Sequence, residues 1–215
     1  MSVHVKICGI TTRAVLEAAL AADVDMVGFV FIPQSSRYLP LEEARALARI
    51  VEGRCQIVAL TLDAQDAQLD SIMRDLAPDY LQLHGHETVD RVHAVRQRFG
   101  CKVIKALPVA EPSDLDAVPL YEKAADCLLF DAKPAKNALL PGGNGLSFDW
   151  RLLDGLSERL PYLLSGGLTV ENVAKALAMT GAWGVDVSSG VETAPGQKDP
   201  LLVQRFIEAA RAARP

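Results

Sequence analysis

Apolar strand-like runs and amphipathic helix-like runs alternate along the whole chain, and this alternation restricts the fold more than any other feature. Val3–Cys8 precedes a helical pattern over Thr12–Ala22, Met26–Phe31 precedes Leu41–Val51, and Gln56–Leu60 precedes a pattern near Ala64–Leu76. Tyr80–Leu83 leads to Val89–Phe99, Lys102–Ala106 to a weaker helical stretch around Ser113–Tyr121, and Cys127–Asp131 to a long loop and a short helix around Trp150–Leu156. Tyr162–Ser165 with Val170–Met179, then Trp183–Val187 with Pro200–Arg211, complete eight units. Apolar strands separated by helices imply a parallel sheet, because each crossover helix covers one face. Eight units in 215 residues fit a closed (β/α)8 TIM barrel better than an open doubly wound sheet. CGITT follows the first strand, where a dinucleotide-binding fold would carry its glycine fingerprint. No linker or composition break divides the chain, so residues 1–215 read as one α/β domain.

Two glycine-bearing turns near the C-terminus point to an anion. LLSGGLTVENV (163–173) and GVDVSSGVE (184–192) each finish an apolar strand and turn through glycine, which lets backbone approach a ligand closely. Thr169 is placed to cap a following helix, and Ser188, Ser189 and Gly190 offer clustered N–H and O–H donors. The loops after strands 7 and 8 of such a barrel commonly build a phosphate site. The net charge of −5 and the lack of a basic block disfavour nucleic acid and anionic membranes as partners. No apolar run approaches the roughly 18 residues of a membrane span, and the N-terminus carries no signal-peptide pattern. Cys8, Cys55, Cys101 and Cys127 show no metal-like spacing, so four free thiols in the cytoplasm are expected, with no metal and no cofactor.

Chemistry in this fold sits where strands end. Those ends carry Cys8, Arg37 in the loop QSSRY, Gln82 with His84, Lys105, Asp131, Ser165 and Asp186. One thiol, several anion partners and two carboxylates suit proton transfer on a phosphorylated, anionic small molecule. The segment between Ala132 and Leu146 is too long for an ordinary connection and directly follows Asp131, so it reads as a lid.

KICGIT (6–11), GFVF (28–31), SSRY (35–38), LQLHG (81–85), the strand ending at Asp131, GGNG with FDW (142–150), the GGL turn and GVDVSSGVE occur in the order found in phosphoribosylanthranilate isomerases, and the chain resembles that family over nearly its whole length. The resemblance implies a (β/α)8 barrel that performs an Amadori rearrangement in tryptophan biosynthesis, turning N-(5-phosphoribosyl)anthranilate into an aminodeoxyribulose phosphate. It implies Cys8 as general base, Asp131 as general acid and Arg37 as the grip on the anthranilate carboxylate. Gln82, His84 and Asp186 then face the substrate, while Gly143, Gly166, Gly167, Ser188, Ser189 and Gly190 hold its phosphate. The chain departs from the family's usual residues at Asn144 and Ser165, both small or polar. A monomer or a homodimer is expected.

The residues support these roles on their own chemistry. Opening the sugar ring needs a proton on the ring oxygen, which a carboxylic acid of raised pKa supplies in a closed site. The Schiff base so formed acidifies the adjacent C–H, which a thiolate can remove. A free thiol has a pKa near ~8.5, so Cys8 needs nearby positive charge. Strand alternation turns Lys6 to the same inward face as Cys8, with Val5 and Ile7 toward the helices. Lys6 is thus either a helper that lowers the Cys8 pKa or a core lysine that needs a carboxylate partner. Lys105 is similarly open between aiding an anionic substrate and pairing with a carboxylate. Cys8 alone would read as a small buried apolar residue, and Asp131 alone as a cap or ion-pair residue. A metal-dependent epimerase would need ligands that are missing from the strand ends, and His84 with His86 lack a third. Another phosphate-binding-barrel sugar isomerase, or a non-catalytic protein that binds a phosphorylated metabolite, are the competing readings.

Overall fold

The computed structural model describes residues 3–133, 145, 147–158 and 160–213. Eight strands hydrogen-bond in sequence order into a closed barrel, every neighbouring pair parallel. The strands are β1 His4–Cys8, β2 Met26–Val30, β3 Gln56–Thr61, β4 Tyr80–Leu83, β5 Lys102–Val109, β6 Cys127–Ala132, β7 Tyr162–Leu164 and β8 Gly184–Val187. Helices α1 Arg13–Ala21, α2 Leu41–Val51, α3 Asp66–Asp75, α4 Val89–Phe99, α5 Val118–Ala124, α6 Val173–Thr180 and α7 Pro200–Ala212 cross over between or after them. A small antiparallel hairpin, β9 Glu192–Ala194 and β10 Gln197–Lys198, stands between β8 and α7.

The strands match the sequence reading to within a few residues, but two helical expectations change. The stretch around Trp150–Leu156 is two short 3-10 turns, Trp150–Leu153 and Leu156–Glu158. Gly155, at φ +71°, separates them, which a continuing helix would not accommodate. The weak fifth helix divides likewise into a 3-10 turn, Pro112–Leu115, and α5. Thr169 does not cap α6, which starts only at Val173. Its N–H instead donates to Asn172 Oδ1 at 2.8 Å, tightening the turn ahead of the helix. Elsewhere side chains do cap helices. Thr12 and Thr88 accept from Val15 and Arg91, and Asp199 accepts from Leu201 and Leu202 ahead of α7.

Alternation divides the strand side chains between two cores. Val5, Ile7, Val27, Phe29, Val103, Phe130 and Val185 pack outward into the layer between barrel and helices. Met26, Val58, Tyr80, Ile104, Leu129 and Leu163 fill the barrel's interior toward its N-terminal end, where Trp183 packs against them. Higher in the interior the side chains become polar, because strand ends bring Lys6, Gln82, Asp131 and Asp186 inward. All four are buried, so the barrel supplies a desolvated chamber above an apolar floor.

Candidate active site

The deepest polar layer of the chamber, just above its apolar floor, is an ion pair set by barrel closure. Lys6 and Asp186 are register partners across the β1–β8 seam, and Lys6 Nζ donates to Asp186 Oδ1 at 2.9 Å. Burial alone would depress the Lys6 pKa, but Asp186 and Cys8 outweigh it and hold the ammonium above its ordinary value. Cys8 ends β1 next to this pair. Its register partner on β2 is Gly28, where a Cβ would sit 3.1 Å from the thiol sulfur. The glycine of GFVF therefore clears room for Cys8. Burial pushes the Cys8 thiol up, with Lys6 and then Lys198 pulling against it and Asp186 adding to the rise. Lys6 is a core lysine paired with a carboxylate and also acts to lower the Cys8 pKa, though not enough to offset desolvation, so both readings left open by the sequence apply.

On the other side of the chamber Asp131 stands one residue before the end of β6. Its Oδ1 accepts from the Ala132 N–H at 2.9 Å, and its Oδ2 lies 3.3 Å from His84 Nε2. The Gln82 amide reaches His84 Nδ1 at 3.0 Å, and with the amide donating, Nε2 carries the proton toward Asp131. Gln82 Oε1 is buried without a hydrogen-bond partner among the described residues. His86, by contrast, is exposed and contacts Asp63, so the two histidines serve different places.

The glycine turns after β7 and β8 lock into each other. At Gly190 a Cβ would fall 1.8 Å from the Leu168 carbonyl oxygen, and at Gly166, whose φ is +85°, it would fall 2.7 Å from the Ala132 nitrogen. Gly167 adjoins Gly166 in the first turn, its carbonyl accepting from Asn172 Nδ2 at 2.9 Å. Ser189 and Gly190 lie in a 3-10 turn, Ser189–Val191, while the Ser188 hydroxyl donates to the Cys8 carbonyl at 3.1 Å. A Cβ at Gly145 would stand 3.9 Å from Ser189 Oγ, so the loop after β6 returns beside this turn. Gly143, Asn144 and most of the expected lid lie outside the described residues.

Four charged residues escaped the sequence reading or changed meaning. Arg37 is buried and grips Glu192 through Nε at 2.7 Å and Nη2 at 2.8 Å. Lys198 donates to the same carboxylate at 2.9 Å and to the Ser188 carbonyl at 2.9 Å. Burial acts to raise the Glu192 pKa, yet Arg37 and Lys198 together hold it below its ordinary value. Both new residues belong to a hairpin too short to show a strand pattern. The VE that ends GVDVSSGVE was the available signal. Lys105 resolves as a carboxylate partner. It shares the outward parity of Val103 and Leu107, and its Nζ meets Glu87 Oε2 at 2.7 Å outside the barrel wall.

A family model described as N-(5'phosphoribosyl)anthranilate (PRA) isomerase matches residues 5–209. The chain belongs to this isomerase family. An N-(5'-phosphoribosyl)anthranilate isomerase of Rhodopseudomonas palustris is 58% identical over 99% of this chain and 98% of its own length. One from Bradyrhizobium diazoefficiens is 57% identical over 100% of this chain and 96% of its own. The solved phosphoribosyl anthranilate isomerase of Thermotoga maritima superposes with a TM-score of 0.88 at 33% identity, covering 98% of this chain and 99% of that one. A solved family member bound to reduced 1-(o-carboxyphenylamino)-1-deoxyribulose 5-phosphate superposes with a TM-score of 0.85 at 31% identity, over 98% and 99% of the two chains.

Proposed function

We propose that Cys8 and Asp131 are the base and acid with which this chain performs its family's reaction, the isomerisation of N-(5'-phosphoribosyl)anthranilate to 1-(o-carboxyphenylamino)-1-deoxyribulose 5-phosphate in tryptophan biosynthesis. The observation that carries the assignment is their placement. Both are buried at inward strand positions, Cys8 on β1 next to the Lys6–Asp186 pair and Asp131 on β6 across the chamber beside His84.

The substrate phosphate sits at the interlocked turns of Gly166, Gly167, Ser188, Ser189 and Gly190, where 3-10 and turn N–H groups favour an anion. The family resemblance adds Gly143, which lies outside the described residues. Asp131 delivers a proton to the ring oxygen as the bond from that oxygen to C1 breaks, which leaves an iminium between C1 and the anthranilate nitrogen. His84 holds Asp131 in place, and Gln82 Oε1 offers an acceptor to the opened sugar. Cys8 as thiolate takes the proton from C2, the electron pair forms the C1–C2 double bond, and the iminium nitrogen is neutralised. Protonation at C1 with loss of the C2 hydroxyl proton gives the ketone.

Burial disfavours the Cys8 thiolate in the resting chamber, and the thiol must give up its proton to water before it acts as base. A cationic iminium formed beside it favours the thiolate at the moment the base is needed. Arg37 holds the anthranilate carboxylate, for which a guanidinium fork is better suited than a lysine. Asp186 faces the reacting carbons from β8 and keeps Lys6 charged. No cofactor or metal enters this sequence of steps.

The four cysteines are free, and no helix among the described residues is long and apolar enough to cross a membrane. We place the protein in the cytoplasm as a monomer or homodimer, with the small-molecule substrate as its partner and neither nucleic acid nor membrane required. Loss of anthranilate-derivative fluorescence on adding pure protein to freshly made substrate, with EDTA present, tests the reading. No change in fluorescence would return the chain to the wider set of phosphate-binding barrels.

A further inference from the structure

The hairpin after β8 does more than connect the barrel to α7. Glu192, at its start, accepts from Arg37 Nε and Nη2, from Lys198 Nζ and, at 3.2 Å, from the Gly196 N–H. Its side chain is buried, as is that of Lys198. At the hairpin tip, Gly196 has φ +81°, and a Cβ there would lie 2.3 Å from the Ser36 carbonyl oxygen. The tip therefore presses on the residue before Arg37, while Glu192 fixes the Arg37 guanidinium. At the other end Lys198 donates to the Ser188 carbonyl and, at 3.3 Å, to the Ser188 hydroxyl, which in turn donates to the carbonyl of Cys8. One short element thus touches the loop that carries the arginine and, through Ser188, reaches the strand end that carries the thiol.

We propose that this hairpin is the positioning element of the site, with Glu192 orienting Arg37 toward the substrate carboxylate and Lys198 supplying positive charge that favours the Cys8 thiolate. The proposal rests on the reading of the site given above. A buried carboxylate held between two cations is costly as decoration, since each of the three would be destabilised without the others. A bidentate grip on Nε and Nη2 also fixes the plane of the guanidinium, and so the direction of its remaining N–H groups. The charged groups that act on Cys8 are Lys6 from its own strand, Asp186 from β8 and Lys198 from β10, with Lys6 and Lys198 opposing its burial. Gly28 faces it from β2 without a side chain. Lys198 is thus a second cation near the thiol, paired with Glu192 as Lys6 is with Asp186; burial lowers its own pKa, and Glu192 and Cys8 act to keep it charged.

Two variants test the two halves. Glu192→Gln keeps the shape and one acceptor but gives up the charge, and should raise KM for the anthranilate substrate about 10-fold, the scale of one weakened charged hydrogen bond. An analogue lacking the carboxylate should show no such rise, and Glu192→Gln combined with Arg37→Lys should cost little more than Arg37→Lys alone. Lys198→Met should move the Cys8 ionisation upward by roughly one pH unit, with Lys198→Arg restoring it. That ionisation is read without turnover, from the pH dependence of iodoacetamide labelling at Cys8 followed by peptide mass spectrometry. A labelling midpoint unmoved in Lys198→Met, or a KM rise equal on both substrates in Glu192→Gln, overturns the proposal. Wild-type protein that labels as expected but turns nothing over would instead remove the isomerase reading and leave the role of Lys198 standing.

Discussion

Two buried lysines sit on opposite faces of the same barrel wall. Lys6 points inward from β1 and meets Asp186 at 2.9 Å, and Lys105 points outward from β5 and meets Glu87 at 2.7 Å. Both are almost wholly buried. Their surroundings separate them. Lys6 has Cys8 and the polar chamber above it, whereas Lys105 also donates to the Gly85 and Leu83 carbonyls and lies 5.8 Å from the Tyr121 ring. Glu87 in turn accepts from the Asp63 and Gly85 N–H groups, tying two loops together. The outer pair therefore fastens loops, and the inner pair sets the charge beneath the Cys8 thiol. A lysine buried in a strand is consequently not informative until its parity is known.

The largest expected effects come from the chamber itself. Cys8→Ala and Asp131→Asn should each lower kcat by about 10²–10⁴-fold or more, with KM changed much less and thermal stability nearly kept. The double variant should lose less than the product of the two, because the steps are sequential and one barrier dominates. Near-normal kcat in either single variant would take that residue out of the mechanism.

Next come the two lysines. Lys6→Met and Lys105→Met each strand a buried carboxylate and should cost about 3–5 kcal/mol of stability in denaturant titrations. Only Lys6→Met should also change the chemistry of protein that is still folded. The Cys8 thiol already lies above its ordinary pKa because of burial, and Lys6 is the largest opposing influence. The base form therefore accumulates as pH rises, so wild-type kcat/KM should climb with pH toward the alkaline side. In Lys6→Met that rise should move to still higher pH, while in Lys105→Met it should stay where it was. Equal pH profiles in all three proteins would erase the distinction between the pairs.

This contrast also explains what the sequence made legible. Strand and helix alternation announced the barrel because each strand is apolar and each helix amphipathic; parity placed Lys6 and Cys8 inward, and Asp131 was placed by its position at a strand end. The same parity would have turned Lys105 outward, since Val103 and Leu107 flank it in the outer layer. Glu192 and Lys198 were not legible for a different reason. Their hairpin has strands of three and two residues, too short for any periodicity, and their partners Arg37 and Ser188 are fixed by tertiary packing rather than spacing. The turns at Trp150–Glu158 misread as a helix because apolar spacing over one turn is common to 3-10 and α geometry.

A smaller effect belongs to Arg37, at the edge of the chamber. Arg37→Lys keeps the charge but loses the fork, so it should weaken turnover of the anthranilate substrate by about 10–100-fold, the scale of one or two charged hydrogen bonds. An analogue without the carboxylate should barely register the change in steady-state kinetics. Equal losses on both would refute the contact with the carboxylate.

The smallest effect tests whether the outer pair is only a fastening. In Lys105→Met alone, the Glu87 carboxylate keeps its bonds from the Asp63 and Gly85 N–H groups but loses its cation. Adding Glu87→Gln removes the stranded charge, and the amide oxygen can still accept from those N–H groups. Replacing both members of a buried pair commonly costs far less than removing one. The double variant should therefore regain most of the stability lost in Lys105→Met, and its kcat should stay within about 2-fold of wild type, since neither residue faces the chamber. The corresponding inner double, Lys6→Met with Asp186→Asn, should regain stability in the same way and yet stay impaired, because the charge beneath Cys8 is gone. An outer double that recovers its stability but not its kcat would mean that the loops held by Glu87 also shape the mouth, and the two faces of the wall could no longer be treated as separate.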